Sequence, residues 1–440
     1  MIHKIVLLCC AALVGNSEEL PADHQWPQWR GPHGNGVAPH ADPPLQWTEN
    51  RNILWKLALP GHGLSTPVVW GERLFVTTAV PFGEAIHVAE THADGAHDNL
   101  DPTHRLHFVV LAINRRDGRI LWQKTVRDEQ PHEGAHVTAS WASPSPVTDG
   151  KRLYVSFGSR GIYCLDLDGK LLWEKDFGDM QIRHEHGEGS SPALYGNTLI
   201  VNWDHQGASF LAALDSRTGE QRWQVARDEI TSWSTPLVVE VAGKPQVIVS
   251  ASRRVCGYDL SDGKLIWECA GLSRNVVASP VAADGMVYVA NSYDWQAMMA
   301  IRLADAKGDI TASPAVVWTL DRHTPYVPSP LLYDGKLYFI RHSQGFLSCL
   351  DAKTGKPFYG PQRLKVISDL FASPLGAAGR IYLAGRGGTV LVLKAGPTFQ
   401  VLAQNELPDS FTASPLAVDK ALYLRGKRFL YCIQRDEPGK

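Results

Sequence analysis

Eight short stretches of the chain repeat one hydrophobic pattern, with β-branched and aromatic residues alternating or clustered as in a buried strand. They are RLFVTT from Arg73, RLYVSF from Arg152, TLIVNW from Thr198, QVIVSA from Gln246, MVYVAN from Met286, KLYFIR from Lys336, RIYLAG from Arg380 and ALYLRG from Ala421. A Ser-Pro or Thr-Pro pair stands ahead of each: Thr66-Pro67, Ser145-Pro146, Ser191-Pro192, Thr235-Pro236, Ser279-Pro280, Ser329-Pro330, Ser373-Pro374 and Ser414-Pro415. Glycine follows most of these prolines within a few residues and marks a hairpin, and proline opens a strand without breaking its ladder.

A second pattern lies on the far side of each stretch. Asp166 to Trp173, Asp215 to Trp223, Asp259 to Trp267 and Asp351 to Tyr359 each span a Gly turn, as does Asn114 to Trp122. Trp318 ends the fifth repeat after the longer loop ADAKGDITASPAVV. Successive Ser-Pro pairs from Ser145 onward lie 46, 44, 44, 50, 44 and 41 residues apart. Four short strands in each such period define a β-propeller blade, whereas a solenoid repeats at shorter intervals.

The expected fold is therefore all-β, one eight-bladed β-propeller of four-stranded blades. Its last repeat lacks an outer strand, and NILWKLALP near the start, with Trp55, supplies one. Closing the ring this way removes two exposed sheet edges. Trp55, Trp122, Trp173, Trp223, Trp267 and Trp318 are expected to dock each outer strand flat against the next blade, because a buried indole brings a large apolar area and an N–H that needs a partner.

The domain organisation follows. Residues 1–22 read as a secretory signal peptide: Lys4 precedes the apolar run Ile5 to Val14, with cleavage near Ser17 or Ala22. Residues 23–52 form an extended N-terminal segment and 53–435 the propeller, with an insertion at 81–107 in blade 1. The apolar run is too short to span a bilayer and no later one is long enough, so the mature chain is expected to be exported, periplasmic or extracellular, and not membrane-spanning. Leu8 stands before Cys9, where a lipid-anchor motif needs a small residue. The formal net charge of -2 offers no basic face for nucleic acid. Cys164, Cys349 and Cys432 share a repeat position that Ala213 fills in blade 3, which marks a small packing slot and no disulfide framework. A monomer is expected.

The repeats DSRTGEQRW and DLSDGKLIW resemble the Asp-x-x-x-Gly-x-x-x-Trp docking motif of the pyrroloquinoline-quinone-like propellers. The resemblance covers nearly all of residues 53 to 435. The segment WPQWRGPHGNG, Trp26 to Gly36, is similar to the entry segment of many exported bacterial propellers. Such a resemblance identifies a fold strongly and a function weakly. It implies two contrasting activities. Quinoprotein alcohol dehydrogenases hold the quinone and a Ca²⁺ on the axis, with a vicinal disulfide, carboxylate ligands and a catalytic Asp. This chain has no Cys-Cys pair outside Cys9 and Cys10, and no residue matches that Ca²⁺ set, so the quinone is not expected. The other relative, an outer-membrane barrel-assembly lipoprotein, is a scaffold that binds a partner protein; with Leu8 before Cys9, this chain is not expected to carry its lipid anchor.

Ligands of propellers bind where loops converge on the axis. Eleven of the 17 histidines lie between His62 and His205. Three groups in consecutive blades are candidates: His132, Glu133 and His136; His184, His186 and Glu188; Asp204 and His205. Imidazoles with carboxylates suit Zn²⁺ or a similar divalent metal, for which His184, His186 and His205 are the candidate ligands. His184 and His186, two apart on an extended segment, would point to one side. Hydrogen-bonded loop histidines and a metal-free acid–base site are the alternatives. The insertion adds five histidines and reads either as a surface loop or as a lid over the axial face. Arg254, Arg274, Asn275, Tyr326, Arg341 and His342 would form a polar rim suited to a carboxylate, phosphate or sulfated sugar.

The chain is thus expected to be an exported binding or scaffold module, with a His- and Arg-lined axial pocket for a small anionic or sugar-like ligand or a protein partner. The alternative is an enzyme at the same pocket, metal-assisted or quinone-dependent.

Overall fold

A computed structural model describes residues 21–88 and 92–435. The expected signal segment lies outside the described residues but for its last two. Eight four-stranded antiparallel sheets succeed one another around a central axis. Blade 1 comprises Val68–Trp70, Arg73–Phe82, Arg105–Asn114 and Ile120–Glu129, from the axis outward. Its second and third strands are buried almost throughout, because a neighbouring blade covers each face. This is why the sequence shows clustered apolar residues there, while an outer strand such as Gln221–Ala226 alternates.

Blade 8 closes the ring. Leu416–Val418, Ala421–Arg425 and Phe429–Gln434 take Ile53–Ala58 as their outer strand. The pairing is antiparallel, with Trp55 opposite Cys432 and Leu57 opposite Leu430.

The Ser-Pro and Thr-Pro pairs have a common task. The amide of Thr66 donates to Ser145 Oγ at 2.9 Å, and that of Ser145 to Ser191 Oγ at 2.9 Å. Ser191 donates to Thr235 Oγ1 at 3.1 Å, Thr235 to Ser279 Oγ at 2.8 Å, and Ser279 to Ser329 Oγ at 2.9 Å. Ser329 then donates to Ser373 Oγ at 2.9 Å and Ser373 to Ser414 Oγ at 3.0 Å, while Thr66 Oγ1 closes the circuit on Ser414 O at 3.4 Å. The proline holds the residue before it extended, and its hydroxyl satisfies a neighbouring amide that would otherwise be orphaned beside the axis.

At the rim the tryptophans bind blade to blade. Nε1 of Trp55, Trp122, Trp173, Trp223 and Trp318 donates to the backbone oxygens of Arg115, Leu167, Ser216, Leu260 and Ala352 at 2.9–3.0 Å, each on the following blade. Each indole lies on the glycine of that blade's turn. At Gly169, for example, with φ +87°, an added Cβ would come within 2.9 Å of the Trp122 ring.

Trp267 departs from the expected docking. Blade 5 replaces the Asp-Gly turn with a 3-10 turn, Leu303–Asp305, and Gly308–Asp309 runs parallel to Trp267 and Glu268. Trp267 turns into its own sheet instead, over Gly257, and donates to Gln246 Oε1 at 3.2 Å. The described cysteines, including Cys164, Cys349 and Cys432, are free and buried.

The N-terminal segment crosses the axis. Trp26 pairs with Val69 in blade 1, and Val37–Ala38 runs parallel to Gly376–Ala377 in blade 7. Between them Arg30 inserts, 3% exposed, and donates to Pro374 O at 2.8 Å and Pro330 O at 2.6 Å. Gly36, φ +86°, leaves room for it; a Cβ there would sit 2.2 Å from the guanidinium.

Two outcomes test this architecture. Ser191→Ala leaves the Ser145 amide without its acceptor in a buried ring, at a cost of about 1–3 kcal/mol, and an unchanged denaturation midpoint would contradict the ring's role. Removing residues 50–60 opens blade 8 and should abolish the cooperative melt, which circular dichroism reads directly.

Candidate functional site

On the loop side of the hydroxyl ring lies an axial pocket of about 380 Å³. The ring residues Thr66, Ser145, Ser191, Thr235, Ser373 and Ser414 form its floor. Its walls carry Trp233, Tyr293, Tyr326 and Phe371, and on one side His97, His136 and His186. Trp29 lines this pocket and also a second one, of about 290 Å³, that holds Arg30 and Pro236. Trp29 is therefore the partition between the two, and the axial channel is closed at one end.

The histidines come from three separate segments. His136 belongs to the link between blades 1 and 2, His186 to the link between blades 2 and 3, and His97 to the blade 1 insertion. The insertion is anchored by a two-residue antiparallel pairing, Asn99 with His136 and Leu100 with Ala135. It is held further by Glu185, whose carboxylate accepts from the Ala93 amide at 2.5 Å and lies 3.2 Å from His92 Nδ1. The His186 ring lies 4.7 Å from both the His97 and His136 rings, centroid to centroid. His184 and His186 are not on an extended segment: His184 (φ +58°) and Glu185 (φ +55°) are left-handed around a 3-10 turn. Their rings are nevertheless 5.4 Å apart. Both His184 nitrogens are engaged, Nδ1 near Asp94 O at 3.2 Å and Nε2 accepting from Arg183 Nε at 3.0 Å.

His132, Glu133 and Glu188 form a second cluster beneath this one, their ligating atoms within 4.8 Å of one another. His132 Nε2 lies 2.7 Å from Met180 O and its Nδ1 3.0 Å from Arg160, so both its nitrogens are taken. Glu188 accepts from the amide of Ser159 at 2.7 Å, and Glu133 from that of Ile182 at 3.2 Å. Burial pushes Glu133 up to about 8 and Glu188 up to about 7.

Several expected site residues lie away from the axial pocket. Asp204 does not face the axis: it forms a fully buried ion pair with Arg227 at 2.7 Å and accepts from Ser232 Oγ. His205 does not join His184 and His186. Its Nδ1 accepts from the Gln181 amide at 3.0 Å and Nε2 lies 3.3 Å from Ala208 O, which makes it a loop organiser. Arg254 pairs with Glu268, Arg274 grips Asp294 with two bonds, and Arg341 lies over the Phe346 ring. None of the three lines the axial pocket, and each has an acidic or aromatic partner. Asn275 is buried, its amide bonded to Ser252 Oγ. Tyr326 lines the pocket, stacked on His342 at 4.8 Å.

The cations lie elsewhere. An adjoining cleft of about 770 Å³, sharing Leu64, Thr138 and Thr412 with the axial pocket, is lined by His62, His104, Arg386, Arg425 and Lys427. Arg425 is buried without a carboxylate and donates to Ser65 O and Thr77 O at 2.8 Å; burial lowers it to about 9. Arg386 pairs with Asp369 and lies over Phe371 at 4.7 Å. Arg386 and Arg425 stand at the hairpin tips of blades 7 and 8, the repeat position that carries NWDHQ and RHSQG in blades 3 and 6. That position was the signal for them.

The quinone and Ca²⁺ that the resemblance brings to this fold do not fit here. Among the described residues no carboxylate lines the axial pocket, and the free cysteines offer no adjacent pair.

A propeller built on repeated Trp-docking blades, with its pocket on the axis, defines the class. The profile of the family described as outer membrane protein assembly factor BamB matches residues 107–359 and 211–437, and the chain belongs to this family of PQQ-like propellers. It is 23% identical over 287 residues to a tetrathionate hydrolase of Acidithiobacillus ferrooxidans, spanning 58% of this chain and 54% of the relative. To the outer membrane protein assembly factor BamB of Yersinia pestis it is 22% identical over 295 residues, spanning 64% of this chain and 66% of the relative. The chain thus spans between half and two thirds of these curated relatives. Among solved structures, quinohemoprotein alcohol dehydrogenase from Comamonas testosteroni superposes with a TM-score of 0.64 at 11% identity, covering 96% of this chain and 82% of the other. BamB from Moraxella catarrhalis gives 0.54 at 14%, covering 83% and 99%. At these identities the likeness is one of fold.

The raised carboxylates set a pH dependence. Glu133, Glu188 and Glu229, which burial pushes up to about 8, 7 and 7, hold protons in the folded state that the unfolded chain has already released. Their contribution to stability is full below the ordinary carboxylate range and is lost as pH rises through the folded values. His62 and His186, lowered to about 4 by burial, act in the opposite sense only below the ordinary histidine value. Stability should therefore fall from about pH 6.5 to 8, and Glu133→Gln should flatten that fall. Urea midpoints across this range that are the same for parent and variant would contradict it.

Proposed function

We propose that the chain is an exported propeller that binds a small anionic, sugar-like ligand in the axial pocket. The observation that carries this reading is the one-ended pocket itself, walled by Trp233, Tyr293, Tyr326 and Phe371 and closed by Trp29. Aromatic faces above a floor of hydroxyls suit a ring with polar edges, and pockets of this size and composition hold small molecules. The adjoining cleft, with Arg386 and Lys427, supplies cations for an acidic substituent.

Scaffolding of a partner protein is less well supported. The exposed apolar side chains of the outer strands, Leu54, Ile120, Leu121, Leu172, Leu265, Phe358 and Val401, are spread over six blades, whereas docking surfaces are joined patches; Leu100, Val137, Tyr293 and Trp295 are exposed on the loops. An enzyme at the same pocket is the second reading, favoured by the histidines grouped on its wall.

Calorimetry with uronic-acid disaccharides, sulfated monosaccharides and their neutral counterparts tests the proposal. The charged members should bind with 1:1 stoichiometry. Trp233→Ala should weaken them at least tenfold, and Arg386→Ala should weaken the charged members more than the neutral ones. Absence of binding across the panel, or equal binding by Trp233→Ala, would return the scaffold reading to first place.

A further inference from the structure

We propose that His97, His136 and His186 form a site for one divalent transition-metal ion on the wall of the axial pocket. The site does not depend on the nature of the organic ligand.

The first argument is position. Three residues distant in sequence, carried by the blade 1 insertion and two inter-blade links, bring their rings together on one side of the pocket. Their centroid separations are 4.7, 4.7 and 6.2 Å. Three imidazoles on one ion, each nitrogen about 2.0–2.1 Å from it, set ring centroids roughly 5 Å apart. The 6.2 Å pair is wider than this, and the nitrogens of the three rings do not all lie within 4.8 Å of one another, so the rings must close in on the ion.

The second argument is atomic. Nδ1 of His97 lies 2.8 Å from Gly95 O, whereas Nδ1 of His136 accepts from the Thr138 amide at 3.2 Å and lies 2.7 Å from Thr138 Oγ1. The His97 ring, whose Nδ1–H is held by a carbonyl oxygen, presents Nε2 as a lone pair, the usual arrangement behind a metal-ligating histidine; the His136 ring must give up the Thr138 amide to do the same. Nε2 of His186 is buried and has no hydrogen-bond partner. A buried polar atom left without a partner calls for an explanation, and ligation supplies one.

The rings meet edge to face, at 62° to 77°. Rotation about χ1 and χ2 is therefore part of binding. His184, 5.6 Å from His97, stays outside the set because both its nitrogens are engaged. The cluster of His132, Glu133 and Glu188 is the competing site; there both histidine nitrogens are in use. Neutral imidazoles with no thiolate favour Zn²⁺ or Cu²⁺ over Ca²⁺ or Mg²⁺. Three protein ligands leave a coordination position open toward the pocket, as in catalytic zinc sites.

The test uses the full described chain, stripped with chelator and exposed to Zn²⁺ alone, with retained metal counted by elemental mass spectrometry after gel filtration. One zinc per chain is expected. His97→Ala, His136→Ala and His186→Ala should each weaken zinc binding at least 100-fold, while His87→Ala, an exposed position on the insertion, should match the parent. Loading with Co²⁺ gives a second reading: visible bands of a nitrogen-ligated ion should appear in the parent and be lost in His186→Ala. Thermal melts of the variants separate lost ligation from lost fold. Retention of less than a tenth of an ion by the parent overturns the proposal, as does parent-like retention by a folded His186→Ala. Loss of the metal in Glu188→Gln with retention in His186→Ala assigns it to the deeper cluster and also overturns it. Because no sugar is present, these outcomes are read separately from the ligand-binding experiment.

Discussion

The circuit of hydroxyls around the axis is the constraint on which the remaining structure depends. Eight innermost strands cannot hydrogen-bond to one another as strands, yet their leading amides meet in a confined, largely buried space. Each hydroxyl from Ser145 round to Ser414 accepts from the amide of the preceding blade, and so fixes the angular step between blades. Rim contacts then act on a geometry already set. Five tryptophans repeat one contact with the following blade, and Trp267 finds another without disturbing the ring. The same hydroxyls keep a proton to donate, so the element that closes the fold also paints the pocket floor polar.

Eight similar blades do not make a symmetric site. Aromatic side chains come from the hairpin tip of blade 5 and from the links between blades 3 and 4, 5 and 6, and 6 and 7, histidines from the side formed by the insertion and the first two links, and cations from the cleft beyond. The asymmetry has a physical origin in segments that break the repeat. The insertion brings His97, and the N-terminal segment brings Trp29 and Arg30. Among the described residues Arg30 and Arg425 have no acidic partner and bind carbonyl oxygens instead, at Pro330 and Pro374 for one and at Ser65 and Thr77 for the other. Both stiffen loops next to the axis.

The architecture was legible because it is periodic. A Ser-Pro pair, a hydrophobic strand and a Gly turn before a Trp each recur at one spacing, and the strand containing Trp55 was identifiable as the piece the last blade lacked. Trp267 escaped because its docking depends on the turn of the following blade, where ADAKGD replaces the Asp-Gly pattern. Site residues were harder, since they lie where the repeat is broken. Asp204 and His205 occupy loops of the expected kind, but a buried Arg227 and two backbone amides claim them, and no local pattern announces such partners. His97 was one of five histidines in an insertion without periodicity. Its place beside His136 is fixed by the short pairing of Asn99–Leu100 with Ala135–His136, which spans more than 30 residues.

The pairing of Ile53–Ala58 with Phe429–Gln434 has a consequence for how the chain reaches its native state. The strand that must finish the last blade is made first and waits for a partner more than 370 residues away in sequence. Blades 2 to 7 can each form from neighbouring residues, but until the final hairpin arrives the assembly is an open arc with a bare strand edge at both ends. Such an arc is adhesive, prone to pair with another copy of itself, and vulnerable to proteases at its ends. Closure converts this chain of local folding events into one cooperative unit, so loosening at either terminal strand is felt by every blade.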